Sequence, residues 1–175
     1  MQIPYIKIAT PKISSINKYF KRSVQVGQYT NFGPNEQELT KLLNEKINAD
    51  IVCTANATLI LDGLHHILSQ KVGQAFLPTF TFPATNLGCR LPFAYGKTSL
   101  KGDTLGFAEF EGSWNSYAIT TAPFGAAMPQ SYKRPMTDFW IVDNAAGASP
   151  EMINTKNWLD AGADVVIVSL HSTKI

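Results

Sequence analysis

Cysteine is scarce in this sequence, with only Cys53 and Cys89 among 175 residues. The two do not form a C-x-x-C pair, so a zinc site is not supported. Both have apolar neighbours, which predicts buried free thiols in a reducing compartment. We therefore expect the protein to be cytoplasmic.

Blocks of like charge and long apolar runs are also missing. The formal net charge of +2 comes from 15 basic and 13 acidic residues spread along the chain. This pattern indicates neither nucleic acid nor a membrane surface as a partner. No apolar run approaches membrane-spanning length, and the N-terminus lacks the apolar core of a signal peptide. Neither an internal repeat nor a low-complexity segment is present.

Glycine is absent from a small polar turn, residues 54–58, which reads T-A-N-A-T. The turn lies between a predicted short strand, residues 50–54, and a predicted helix for which Asn56 or Thr54 is a suitable N-cap. A strand, a short turn and a helix start can present free backbone N–H groups to an anion. Without glycine, however, neither the P-loop nor the dinucleotide-binding fingerprint fits. An ordinary capped helix remains the alternative.

Apolar periodicity predicts strands alternating with helices. A helix opens near Pro11, a second begins at Asn35, and Thr81 can cap a short third one with Pro83 in its first turn. We interpret residues 97–114 as irregular. Further strands are predicted at residues 75–78, 117–122, 139–142 and 165–168. The pattern is typical of a doubly wound, mostly parallel α/β sheet with one ligand crevice.

Polar or aromatic residues follow several of these strands. The last predicted strand, four β-branched residues buried on both faces, leads into Ser169 and Lys174. A lysine held against an apolar wall there can lose its proton and attack a carbonyl, although a solvated loop lysine is the simpler interpretation. Phe82 either stacks on a flat ligand ring or belongs to the core. Asp143 needs a cationic or N–H partner if it is buried. His65 and His66 are interpreted as surface or hydrogen-bonded residues, not as ligands.

Three short segments in the first half match motifs of one enzyme family. Residues 30–34 read T-N-F-G-P, where the family has T-N-x-G-P. Residues 55–61 read A-N-A-T-L-I-L, against S-N-G-T-x-A-L. Residues 78–86 read P-T-F-T-F-P-A-T-N, against P-S-x-T-[FW]-x-A-[ST]-x-N, with the asparagine one place early.

Two further segments continue the match in the same order. Residues 142–147 read V-D-N-A-A-G, against E-D-A-A-Q-A, and residues 169–174 read S-L-H-S-T-K, against S-F-H-A-T-K. Each motif alone is weak, but independent chance matches rarely keep order and spacing. The chain thus resembles the DegT/DnrJ/EryC1/StrS sugar aminotransferases, which are pyridoxal-phosphate enzymes of aspartate-aminotransferase fold (fold type I). The resemblance implies a three-layer α/β sandwich with a mostly parallel sheet.

The resemblance also implies a role for each matched position. Lys174 would form the Schiff base with the cofactor aldehyde and then shuttle the substrate's α-proton. Asp143 would bond the protonated pyridine nitrogen, and Phe82 would stack on the ring. The remaining positions would hold the cofactor phosphate: Ala57, Thr58 and Ser169. No metal is implied.

The implied reaction is transfer of an amino group from an amino acid, with glutamate expected, to a nucleotide-linked keto sugar. Such chemistry serves polysaccharide biosynthesis, and the enzyme is expected to be a homodimer. Residues 1–175 would be the N-terminal part of the cofactor-binding large domain. The rest of that domain and a small C-terminal domain, found in family members, would be absent.

Departures from the family pattern leave alternatives open. Ala57 stands in place of a glycine, which would restrict the phosphate turn, and Ala146 stands in place of a glutamine near the ring hydroxyl. A truncated or non-catalytic remnant with the same fold is therefore one alternative. A dehydratase of the same family is another. Those enzymes have histidine in place of the lysine, so the presence of Lys174 argues against this alternative. A small-molecule-binding α/β domain without this cofactor is the third.

Overall fold

The computed structural model describes residues 10–98, 106–148 and 152–171. These fall into two compact units, with the division between Cys53 and Thr54. The helices are α1 (Ile13–Val26), α2 (Pro34–Ile47), α3 (Ala57–Leu68), α4 (Ala84–Leu87) and α5 (Ile153–Asp160). The strands are β1 (Gln74–Pro78), β2 (Phe93–Thr98), β3 (Ala108–Glu109), β4 (Ser116–Thr121), β5 (Phe139–Asp143) and β6 (Val165–Ile167).

The first unit is a pair of helices. Gly27 ends α1 in the left-handed conformation, with φ of 68°, which glycine adopts without strain. Pro34 opens α2, where its fixed φ suits the first turn. The two helices are joined by Asn35, whose side-chain amide donates to the Tyr19 carbonyl at 3.0 Å and to the Ser23 hydroxyl at 2.9 Å.

The second unit contains a six-stranded sheet in the order β3-β2-β1-β4-β5-β6. The strands are parallel except for the β2–β3 pair. Side chains alternate between the faces of β4 and β5, so each face has its own apolar core. Leu61 and Leu68 of α3 pack with Tyr117, Ile119 and Ile141 on one face. On the other face Trp158 of α5 packs with Ala118, Trp140 and Val142. The expected three-layer α/β architecture with a mostly parallel sheet is confirmed.

Several local predictions need correction. Residues 50–54 form no strand, and the chain there runs irregularly into α3. Part of the segment predicted to be irregular pairs as the antiparallel strand β3. The last strand lies at an edge of the described sheet, with Val165 and Val166 only partly buried, so burial on both faces is wrong. Helix α5 was not predicted. For β3 and the last strand, the neighbouring strands of the sheet decide the outcome, and the local pattern does not contain them.

The predicted surroundings of the cysteines are only partly right. Both thiols are free, but Cys53 is exposed and Cys89 is partly buried. Thr81 does not cap α4, because Pro83 occupies the N-cap position and the helix has no side-chain cap. The Thr81 hydroxyl has other partners, which belong to the site described next.

Candidate functional site

A cavity of about 530 Å³ opens in the second unit, where the parallel strands β1, β4, β5 and β6 end. Connections that leave the same edge of a parallel sheet converge there, which is why ligands of open α/β folds bind at this edge. The walls come from the start of α3, the segment after β1, the turn after β4 and the turn after β5. They include Ala57, Thr58, Phe80, Thr81, Phe82, Thr121, Phe124, Asp143, Ala145, Ala146 and Ser169.

Asp143, at the end of β5, is the one ionisable side chain among the described residues that line the cavity. The side chain is 6% exposed. The Thr85 hydroxyl donates to Oδ2 at 2.8 Å, and the Ala145 N–H donates to Oδ1 at 3.2 Å. Both donors are neutral groups. In the part of the chain that the structure describes, no cationic side chain forms an ion pair with this carboxylate. A buried carboxylate in that position can still accept a hydrogen bond from a cation.

A chain of threonine hydroxyls supports this carboxylate. Thr81 donates to the Thr85 hydroxyl at 2.7 Å, and the Thr81 and Thr121 hydroxyls lie 2.7 Å apart. The three residues come from the segment after β1, from α4 and from the end of β4. The hydroxyl chain therefore links three of the segments that meet at the cavity.

His65 of α3 lies behind this chain and is fully buried. Its Nε2 is 2.9 Å from the Thr85 carbonyl, which can only accept, so Nε2 carries a hydrogen. Its Nδ1 is 2.5 Å from the Tyr117 hydroxyl, which in turn lies 3.5 Å from Cys89 Sγ. Burial raises the pKa of Tyr117 well above the ordinary value, so the phenol stays neutral. His65 is thus a hydrogen-bonded core residue, whereas the sequence left open whether it lies at the surface or is hydrogen-bonded.

The start of α3 forms another wall of the cavity. The Asn56 side chain caps the helix by accepting the Leu59 N–H at 3.0 Å. The N–H groups of the first turn have no intrahelical partner, so those of Ala57 and Thr58 can serve an anion. Ala57 is the first helical residue and has no positive φ. An alanine Cβ therefore adds no backbone strain at this position.

Aromatic rings cover the open side of the cavity. The side chain of Phe82 is 73% exposed although it lines the cavity. The rings of Phe80 and Phe124 meet edge to face with centroids 5.9 Å apart. After Phe124, Gly125 has φ of +76°, and a Cβ there would lie 2.3 Å from the Ala146 carbonyl oxygen. Only glycine allows the turn after β4 to approach the turn after β5 so closely.

The structure places five of the predicted site residues on this one cavity: Ala57, Thr58, Phe82, Asp143 and Ser169. Their role in binding a cofactor remains a prediction. Lys174 lies outside the residues that the structure describes. Ala146, which replaces the glutamine of the family pattern, also lines the cavity, and its methyl group offers no hydrogen bond.

Sequence reasoning assigned no role to Thr85, Thr121 or His65. Thr121 ends β4, so the rule that singled out Asp143 would also have found it. Thr85 was part of a matched motif but carried no chemistry of its own. No local pattern identifies His65, since its partners Thr85 and Tyr117 are 20 and 52 residues away.

Comparison with solved structures gives the fold. The chain resembles a DegT DnrJ EryC1 StrS aminotransferase from Brucella abortus, at 24% identity and a TM-score of 0.57, over 76% of this chain and 40% of that one. It resembles the sugar aminotransferase CalS13 from Micromonospora echinospora, at 19% identity and a TM-score of 0.59, over 83% and 44%. It also resembles Spr1654 from Streptococcus pneumoniae in its PMP form, at 16% identity and a TM-score of 0.66, over 99% and 49%.

These likenesses establish an aminotransferase-like α/β fold, and they include the family that the motifs indicated. Among curated proteins, Rv3402c of Mycobacterium tuberculosis is 31% identical over 86 residues, which cover 46% of this chain and 21% of that protein. No protein-family model matches the chain. The chain spans less than half the length of the solved structures it resembles.

The described residues contain neither a membrane-spanning helix nor a cluster of metal-binding side chains. No helix in the ranges 10–98, 106–148 and 152–171 is both long enough and apolar enough to cross a membrane. Within the same ranges, no group of three or more His, Cys, Asp or Glu side chains could hold a metal ion.

Proposed function

We propose that this chain is the cofactor-binding part of a pyridoxal-phosphate aminotransferase. The amino donor would be an amino acid, with glutamate expected, and the acceptor a nucleotide-linked keto sugar. The observation that carries the proposal is the Asp143 carboxylate, which is buried at the end of β5 on a cavity whose described walls contain no cationic side chain. The five motifs in order, and the fold shared with sugar aminotransferases, support the same function.

The described residues fit pyridoxal phosphate in three respects. A carboxylate that receives only neutral donors matches a protonated pyridine nitrogen. The first turn of α3, with the Thr58 hydroxyl, offers donors suited to a phosphate. An exposed Phe82 on the cavity wall offers a face to an aromatic ring.

Each residue then has a defined task. When bound, the cofactor withdraws electrons from the reacting carbon of the substrate. Asp143 would hold the proton on the ring nitrogen, because its negative charge favours the cationic ring. Thr58, Ala57 and Ser169 would hold the phosphate, and Phe82 would fix the plane of the ring. The apolar wall around Phe80 and Phe124 would exclude water.

The role of Lys174 is proposed from the sequence alone, because this residue lies outside the ranges that the structure describes. We assign it the covalent attachment of the cofactor and the transfer of a proton at the substrate α-carbon, with its amine as the base. The motif in residues 169–174 supports this assignment. The presence of lysine rather than histidine favours amino transfer over dehydration.

A spectroscopic experiment tests the proposal. Purified protein mixed with pyridoxal phosphate should stay yellow after the unbound cofactor is removed, and borohydride should fix the cofactor to a peptide that contains Lys174. The variant Lys174→Ala should not be labelled by borohydride, whereas Lys71→Ala, an exposed lysine next to the end of α3, should be labelled like the wild type. Equal borohydride labelling in Lys174→Ala would show that the attachment site is wrong.

Catalysis is measured separately from binding. Formation of 2-oxoglutarate from glutamate in the presence of a nucleotide-linked keto sugar would show amino transfer. Cofactor binding without turnover, at any protein concentration, would instead identify a non-catalytic protein with the same fold. The replacement of the family glutamine by Ala146 favours that second outcome.

We also propose that the protein is a homodimer. One face of α1 carries Ile13, Ile16, Phe20 and Val24, each of them between 48% and 74% exposed. Apolar side chains repeating at this spacing favour burial against another surface.

A further inference from the structure

We propose that Thr85 is a positioning residue, whose hydroxyl holds the Asp143 carboxylate in the orientation that accepts the ring N–H of the cofactor. This inference rests on the proposed function and adds a residue that the motif match left without a role. It is carried by the geometry around one buried hydroxyl.

The carboxylate needs an external restraint. The last torsion of an aspartate side chain has broad minima, so the rotamer alone does not fix the plane of the two oxygens. Here two donors fix it from different segments: Thr85 Oγ1 at 2.8 Å from Oδ2, and the Ala145 N–H at 3.2 Å from Oδ1. The ring nitrogen of the cofactor is a directional donor, so its bond depends on this plane.

The direction of the Thr85 bond is defined. An ionised carboxylate only accepts, so the single hydroxyl hydrogen of Thr85 points to Asp143. The Thr85 oxygen in turn accepts from Thr81 at 2.7 Å. A hydroxyl that receives one hydrogen bond becomes a better donor in the next, so Thr81 strengthens the contact with the carboxylate.

Thr85 is itself held at both backbone groups. It is fully buried. Its N–H donates to the Phe82 carbonyl at 3.0 Å, and its carbonyl accepts from His65 Nε2 at 2.9 Å. Thr85 thus connects the aromatic residue proposed for the ring face with the acid proposed for the ring nitrogen. A displacement of this residue would disturb both.

The test compares pyridoxal phosphate with an analogue whose ring nitrogen is replaced by carbon. Both ligands reach the phosphate site and Phe82, but only the first engages Asp143. The wild-type ratio of the two dissociation constants therefore isolates the contact of the ring nitrogen. We expect Thr85→Val to reduce that ratio about tenfold, the range expected for a hydrogen bond to a charged group. Thr85→Ser, which keeps the hydroxyl, should restore it.

Two further variants make the result decisive. Thr79→Val removes an exposed hydroxyl, which pairs with Thr98 at 2.6 Å, and should leave the ratio unchanged. If Thr85→Val does not fold, Thr85→Ala removes the same donor without placing a second methyl group against the carboxylate. A Thr85 role limited to packing would weaken both ligands equally, and an unchanged ratio would overturn the inference. A wild-type protein that prefers neither ligand would overturn the proposed function itself.

Discussion

At the scale of single residues, hydrogen bonds behind the cavity link His65 to Tyr117 and Tyr117 to Cys89. Burial by itself would raise the pKa of the Cys89 thiol, but the hydrogen bond from Tyr117 and the neighbouring His65 ring outweigh it, so the pKa lies below the ordinary value. When Cys89 is a thiolate, Tyr117 donates to its sulfur. When Cys89 is a thiol, Tyr117 can donate to His65 Nδ1 instead.

This arrangement predicts the pH dependence of Cys89 alkylation. A lowered pKa means that the reactive thiolate persists to lower pH. In a Cys53→Ser background, where Cys89 is the sole thiol, the rate with iodoacetamide should reach its midpoint below the pH typical of a free cysteine. Adding Tyr117→Phe removes one donor and should shift the midpoint to higher pH. A midpoint that stays in place would show that Tyr117 does not stabilise the thiolate.

At the scale of elements, the start of α3 combines stability with anion binding. Asn56 caps the helix through the Leu59 N–H. The N-terminal end of a helix also carries partial positive charge, which favours a bound anion and disfavours a cation. These two contributions can be separated by substitutions at the same position.

The paired variants Asn56→Ala and Asn56→Asp provide that separation. Asn56→Ala should lower the free energy of unfolding by about 1 kcal/mol, because the cap is lost. Asn56→Asp should keep the stability, since aspartate caps equally well, but should weaken the binding of inorganic phosphate by charge repulsion. Urea unfolding measures the first effect and phosphate titration the second. Phosphate affinity in Asn56→Asp equal to the wild-type value would place the phosphate elsewhere.

At the scale of the whole molecule, the parallel order of the sheet brings distant segments to one edge. The cavity brings together residues that are far apart along the chain. Phe82 follows β1, whereas Thr121 and Asp143 end β4 and β5, and Thr58 lies in the first turn of α3. The exposed apolar face of α1 also concerns the whole molecule, because its burial requires a second protein surface.

The homodimer prediction is tested by light scattering. The wild-type chain should have twice the mass of the monomer, and Phe20→Asp should reduce it to one monomer by placing a charge on the apolar face. Lys18→Glu changes the charge on the opposite side of α1 and should leave the mass unchanged. A monomeric wild type, or a dimer unaffected by Phe20→Asp, would contradict this interface.

The sequence by itself determined the alternation of strands and helices, limited the cap of α3 to Asn56 or Thr54, and identified the residues that follow the strands. It could do so because apolar periodicity, capping and polar strand ends are local properties. The hydroxyl chain from Thr81 to Asp143, the His65 contact and the strand β3 were decided only by tertiary structure. These depend on side chains and strands that are distant in sequence, and no local pattern specifies which of them will meet.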